Sequence, residues 1–398
     1  MPRFSVVVPT RDRPDLLDFC LQSLAGQTFD DMEVIVSDNP QARPARAVFD
    51  RWARPRWRYL VNDSLAMHDN FERGCAAAAG EYIAVVIDKT VLHPTALELA
   101  NRAIDAAPEV EIVTWWNDGY DPVDEAHDLG TGCFQPMAKV VPRTLYEPAA
   151  ELERHFAHSA RRGTNPVLYV RVKIVFGAFS RLLLDRIREQ TGRVFYPLAP
   201  DYTSMVPACV LGGSAVDLGR PLLVSYNSVR SNGRLQSLDA GHARRFIEAA
   251  DPAIIDALPI AGLYASHHNV VAYDLVSAAS RCPTGTTPPL HLPNLLRRAR
   301  EDLDGVRWTD PSERAAQYVI LEAAETRLGV VPKPERAPPP REHRTIRARL
   351  GASIARVPPL ERLASRASGG QSLSPSTYAS PLDAAFAADD YYTTGRVA

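Results

Sequence analysis

Strand-like and helix-like runs alternate through the first hundred residues. This constrains the chain most, because it calls for an α/β unit on a largely parallel sheet. Residues 4–8 form a short β-rich apolar run closed by Pro9. Residues 12–24 read as a helix, with Pro14 near its first turn and Leu16, Leu17, Cys20, Leu21 and Leu24 on one side. Further strands are expected at 32–36, 57–61, 82–87 and 110–116, with helices at 71–79 and 94–106 between them. The fourth strand, Tyr82-Ile83-Ala84-Val85-Val86-Ile87, is apolar throughout, as a strand covered on both faces must be.

In open α/β sheets ligands bind beyond the carboxyl ends of the strands. Three polar clusters fall there: Pro9-Thr10-Arg11-Asp12-Arg13-Pro14, Ser37-Asp38-Asn39 and Asp88-Lys89-Thr90. Any one of them alone reads as a strand-ending turn, for which Asp, Asn and Pro are ordinary residues. No GxGxxG follows the first strand and no GxxxxGK[ST] occurs, which argues against a dinucleotide fold and a P-loop NTPase.

Taken together, Val6-Val7-Val8-Pro9-Thr10-Arg11-Asp12-Arg13-Pro14, Leu24-Ala25-Gly26-Gln27-Thr28-Phe29 and Glu33-Val34-Ile35-Val36-Ser37-Asp38-Asn39 closely resemble the start of family 2 glycosyltransferases. The resemblance is strong over residues 3–100 and weak over 170–235. It implies a GT-A fold: a mostly parallel central sheet flanked by helices, here with a helical C-terminal extension. It also implies transfer of a sugar from a nucleotide-diphosphate donor to an acceptor hydroxyl, with inversion. Pro9, Thr10 and Arg11 would line the nucleotide pocket, Asp38 would accept the N–H of the base, and Asn70 would face the donor. Asp88 matches the first acid of the family's DxD motif, which holds the ribose and a divalent metal on the diphosphate.

Where that motif has its second acid, this chain has Thr90, with Lys89 between. Mg²⁺ and Mn²⁺ favour oxygen ligands, normally one or two carboxylates plus phosphates. Two readings stay open: a metal held by Asp88 with phosphates and water, or Lys89 supplying the positive charge itself. The resemblance places the general base in a later acidic segment, and Ala199-Pro200-Asp201-Tyr202 matches it best. Asp201 is therefore read as the base, the competing reading being a helix N-cap. Rival functions are a non-catalytic nucleotide-sugar-binding or scaffold homologue with a degraded DxD, and a nucleotidyltransferase.

The remainder is less telling. Residues 167–175 look extended, 180–190 helical, 222–226 extended, and 240–330 mostly helical. Asp118-Gly119-Tyr120-Asp121 has turn composition, Trp115-Trp116 is expected in the core, and the Arg230/Arg234 stretch reads as a surface loop. The expected division is a GT-A domain over 1–235, a helical extension over 236–330, and a basic, proline-rich tail over 331–398, partly flexible or docked. Residues 333–366 carry nine basic and three acidic residues, a local excess of six charges hidden by the overall net charge of −2. That tail fits either docking or contact with an anionic membrane.

The overall charge balance gives no attraction to nucleic acid. The expected partners are the nucleotide-sugar donor and a polysaccharide, lipid-linked or small-molecule acceptor, with homo-oligomerisation open. Five scattered cysteines without a CxxC pair, no signal-peptide pattern and no run of 18 apolar residues point to the cytoplasm, with membrane association at the periphery.

Overall fold

The structure, a computed structural model, describes residues 1–123, 130–136, 140–159, 166–227, 230–330 and 376–394. Four strands open it: β1 (Phe4–Thr10), β2 (Met32–Asp38), β3 (Trp57–Val61) and β4 (Tyr82–Val85). They run parallel in the order β3-β2-β1-β4. Successive side chains of a strand point to opposite faces, and here the two faces serve two cores. Val6, Val8, Val34, Val36 and Ala84 pack with Leu17, Cys20, Leu21 and Leu24 of the helix Pro14–Ala25. Val7, Ile35, Ile83 and Val85 pack on the other side with Phe71 and Cys75 of the helix Met67–Ala76. Full burial of each of these β-branched side chains stabilises by roughly 1.5–3 kcal/mol.

Beyond β4 the sheet becomes mixed. It continues through β9 (Gly177–Ser180), β6 (Ile112–Pro122), β7 (Gly132–Gln135) and β11 (Ser376–Tyr378), all antiparallel to their neighbours on this path. The long strand β10 (Ala215–Tyr226) lies parallel to β6 and antiparallel to β5 (Thr90–Leu92) and β8 (Thr144–Tyr146). Its register slips on either side of Pro221, a residue with no N–H to give to a ladder. The expected α/β class with a helical C-terminal region is what the structure shows, the sheet being parallel in its first four strands.

Two sequence expectations need correction. Residues 167–175 are not extended: they form the short helix Pro166–Val170 and the 3₁₀ turn Ile174–Phe176. Asp118–Asp121 is not a turn but part of β6, paired on both sides by β7 and β10. Residues 235 and 236, on either side of the expected domain limit, fall in the helix Asn232–Leu238. Trp115 and Trp116 are buried, as core residues should be.

The helical region has a core of its own, with Ile247, Leu258, Leu263, Leu295, Leu296 and Leu321 among its buried members. The helix His267–Ala279 is shared. Val270 and Ala272 face that core, while Val271, Leu275 and Ala278 face the sheet-side core and the helix Pro200–Leu211. Part of the tail is docked: β11 pairs with β7, and the helix Pro381–Thr394 buries Leu382, Ala384, Ala385 and Ala388 against Leu16, Val91, Tyr120 and Phe134. The basic stretch 333–366, read as docked or in contact with an anionic membrane, lies outside the described residues. Among the described residues no helix is long and apolar enough to cross a membrane.

Candidate active site at the carboxyl ends of the first strands

Parallel register puts the ends of β1, β2 and β4 side by side, so Thr10 stands opposite Asp38 and the Asp88-Lys89 turn follows β4. Asp88 is fully buried. Its Oδ2 accepts a hydrogen bond from Thr10 Oγ1 (2.8 Å) and pairs with Arg13 Nε (3.1 Å). Its Oδ1 is buried with no partner. Burial pushes the carboxyl upward, and Arg13, the Thr10 hydroxyl, Lys89 and Arg230 pull against it. Lys89 Nζ donates to Ser231 Oγ (2.9 Å), and Arg230 pairs with Asp15 at 3.0 Å. Arg230 is thus no plain surface loop residue. Three cations and one under-used carboxylate oxygen converge here. Arg11, by contrast, is exposed, and Pro9 is buried within β1.

Asp38 is also buried. Its Oδ2 accepts from the backbone N–H of Ala45 (2.8 Å) and from the Tyr59 hydroxyl, leaving Oδ1 without a partner. The loop that brings Ala45 there is pinned by Asp12, whose Oδ1 accepts the N–H groups of Gln41, Ala42 and Arg43 at 2.8–2.9 Å. Asp12 takes a left-handed backbone (φ 55°), which Asp tolerates better than most residues.

Asn70 ties the strand ends together. Its Oδ1 accepts from Ser37 Oγ (2.7 Å) and Asn62 Nδ2 (2.6 Å), and its Nδ2 donates to Ser37 O (3.1 Å) and Thr10 O (3.4 Å). A side-chain amide has two donors and two acceptor sites, so Asn70 has no hydrogen-bonding capacity left for a ligand. Its helix lies close against the sheet because Gly74 meets Val7. A Cβ there would sit 2.5 Å from Val7 Cγ1.

Asp201 stands in a second cluster. The N-cap reading fails: Ala199 is the N-cap of the helix Pro200–Leu211, and no side chain caps it. Asp201 Oδ2 instead faces Lys173 Nζ at 3.8 Å. The segment before it is anchored on the Asn70 helix, where Glu72 Oε2 accepts the N–H groups of Val194 (2.9 Å) and Phe195 (3.0 Å), and Arg193 pairs with Asp69. Asp274 accepts from Ala199 N (2.7 Å), and burial, with Asp201 adding, pushes its carboxyl well up.

As for a metal, among the described residues no group of three or more His, Cys, Asp or Glu is arranged to hold one. Asp88 Oδ1 fits as a single ligand, and Thr90, buried at the start of β5, adds no carboxylate.

Sequence reasoning passed over three groups. Arg13 was read only as part of a motif. Asp15, held below the ordinary carboxylate range by Arg230 against the upward push of burial, was not singled out. Lys173, 28 positions before Asp201, carries no local signal at all.

Residues 5–163 match the family described as Glycosyl transferase family 2. Over that stretch the chain is similar to a family 2 glycosyltransferase domain, in line with the resemblance of its first hundred residues. A Campylobacter jejuni protein named GalNAc(5)-diNAcBac-PP-undecaprenol beta-1,3-glucosyltransferase is 32% identical over 101 residues, covering 24% of this chain and 33% of that protein. The chain thus spans about a third of the length of the curated relative it matches. Among solved structures, S. aureus TarS 1-349 in complex with UDP is 15% identical with a TM-score of 0.42, over 82% of this chain and 92% of that one. The mannosyltransferase PcManGT from Pyrobaculum calidifontis, in complex with GDP-Man and Mn2+, is 16% identical with a TM-score of 0.38, over 82% and 86%. These two likenesses are too loose to assign any residue.

Proposed function

We propose that this protein is a hexosyltransferase-type enzyme, moving a sugar from a nucleotide-diphosphate donor to an acceptor hydroxyl with inversion. The observation that carries this reading is buried Asp88, with one oxygen unpartnered, among Arg13, Lys89 and Arg230 at the carboxyl ends of parallel strands. Cations so placed favour a diphosphate as charge builds on it during departure. Asp38, with Oδ1 free, is the acceptor for a base N–H, while Pro9, Thr10 and Arg11 form the wall beside it. Asn70 acts by aligning the strand ends.

Asp201 serves as general base. The acceptor oxygen bonds to the anomeric carbon as the bond from that carbon to the phosphate oxygen breaks. The nucleoside diphosphate leaves with the electron pair, and the acceptor proton passes to the Asp201 carboxylate. Asp88 is the residue that would hold Mg²⁺ or Mn²⁺, which when bound supplies further positive charge at the diphosphate.

The acceptor class (polysaccharide, lipid-linked or small molecule), a cytoplasmic location, membrane contact through the tail and self-association belong to this proposal too. So do the limits 1–235, 236–330 and 331–398.

The test is incubation of the full chain with a panel of UDP- and GDP-sugars and hydroxyl acceptors, reading released nucleotide and the anomeric configuration of the product. Inverted product supports the reading. Nucleotide binding with neither transfer nor donor hydrolysis would favour the binding homologue instead. Activity that survives exhaustive chelation would assign the charge to Lys89 and its neighbours rather than to a metal.

A further inference from the structure

Lys173 is the least expected charge in the protein. Its side chain is 0% exposed, and its Nζ has no hydrogen-bond partner. Nζ lies 3.6 Å from the ring centre of Tyr169 and 3.8 Å from that of Tyr202, so the ammonium sits between two aromatic faces. The two tyrosine hydroxyls close this cage by a 2.9 Å hydrogen bond. Among the described residues the one carboxylate paired with the lysine is Asp201, at 3.8 Å, whose side chain keeps 27% exposure.

The backbone on both sides of this pair is strained. Val172, immediately before Lys173, has φ 59°, and Leu198, three residues before Asp201, has φ 78°. Both are buried aliphatic residues in a left-handed conformation that a β-branched or bulky side chain rarely takes. Such conformations persist only where the surroundings enforce them, and they concentrate at functional sites. Here two of them deliver the two halves of one ion pair.

Building on the reading of Asp201 as base, we infer that Lys173 is its positioning residue. From behind, it holds the Asp201 carboxylate in one orientation, leaving the exposed side open to an acceptor hydroxyl. Among the described residues, the other ionisable groups facing the pair include Asp274 on the helix His267–Ala279 and His155 on the helix Ala149–Phe156. Burial, with Lys173 adding, keeps His155 neutral, so it cannot replace the lysine charge. Asp201 adds to the upward push of burial on Asp274, so removing Lys173 leaves these two acids beside one another without the cation.

The experiment measures turnover and donor KM in the full chain. Turnover should fall at least tenfold in Lys173→Met with donor KM little changed, Lys173→Arg should recover most of it, and Lys173→Met should add nothing in an Asp201→Asn background. Turnover unmoved by Lys173→Met, or a rise in donor KM that accounts for the whole loss, would overturn the inference. Native turnover in Asp201→Asn would instead overturn the base assignment and leave the ion pair as a structural fact. Should Lys173→Met fail to fold, Tyr169→Leu opens one face of the cage, and its turnover should fall by a smaller factor with donor KM again little changed. No change there would count equally against the inference.

Discussion

Replacing Asn70 with leucine removes a buried hub while keeping about the same volume, so the effect reads hydrogen bonding rather than a cavity. Four contacts are lost: two accepted from Ser37 Oγ and Asn62 Nδ2, and two donated to Ser37 O and Thr10 O. A hydrogen bond contributes about 0.5–1.5 kcal/mol net, and a buried group left unpaired costs about 1–3 kcal/mol. Several partners keep a second bond: Thr10 O still accepts from Asn39 N, and Asn62 Nδ2 still donates to Ser37 Oγ. The loss is therefore near the sum of weak contributions, about 3 kcal/mol. Urea unfolding at constant slope measures it as a lower midpoint. Nucleotide diphosphate binding should weaken in step, because Thr10 and Asp38 sit on the strand ends that Asn70 aligns. Native stability together with lost nucleotide binding would refute this reasoning, since it would mean that Asn70 touches the donor directly.

Two further predictions concern the far side of the site, where the C-terminal helix covers His93. Burial, with Arg220 adding, pushes the fully buried His93 down to about 3. The unfolded chain therefore binds a proton that the folded one refuses between about pH 6.5 and 3, and stability is lost as pH falls through that window. His93→Gln should flatten the stability profile between pH 5.5 and 4 by about 1.4 kcal/mol per pH unit, and profiles that stay parallel to wild type would contradict this. Ending the chain after residue 375 removes β11 and the last helix, uncovers Leu16, Val91, Tyr120 and Phe134, and takes away the Tyr392 hydroxyl that bonds Asp118. Its melting temperature should drop and it should bind a hydrophobic dye. An unchanged melting curve would show that the docked segment contributes little.

The clustering of Thr10, Asp38 and Asp88 was legible in the sequence, because their placement depends on local order. The strands β1, β2 and β4 are built on the runs Val6-Val7-Val8, Val34-Ile35-Val36 and Tyr82-Ile83-Ala84-Val85, and the end of such a strand is by geometry the place where Thr10, Asp38 and Asp88 must emerge. Legibility failed where distant segments decide. The valine- and tyrosine-rich run before Lys173 has the composition of a strand, yet packing against the helix Pro200–Leu211 bends it into short helical turns with Val172 left-handed. Asp118 sits among turn-forming residues, yet its pairing with β10, and that of Gly119–Asp121 with β7, holds the segment extended. The docking of residues 376–378 on β7 joins positions more than 240 residues apart, which no local pattern encodes. Arg13 and Asp15 show the same limit on a smaller scale, for their partners Asp88 and Arg230 are supplied by the tertiary fold.

The proposed division of labour has the Asp88 cluster hold the donor diphosphate and Asp201 take the acceptor proton. Asp201→Asn separates the two in one experiment, with nucleotide binding by calorimetry and sugar transfer followed on the same preparation. Nucleotide affinity within about twofold of wild type, with transfer reduced at least a hundredfold, is the predicted result. Transfer at the wild-type rate, or loss of nucleotide binding along with transfer, would contradict it.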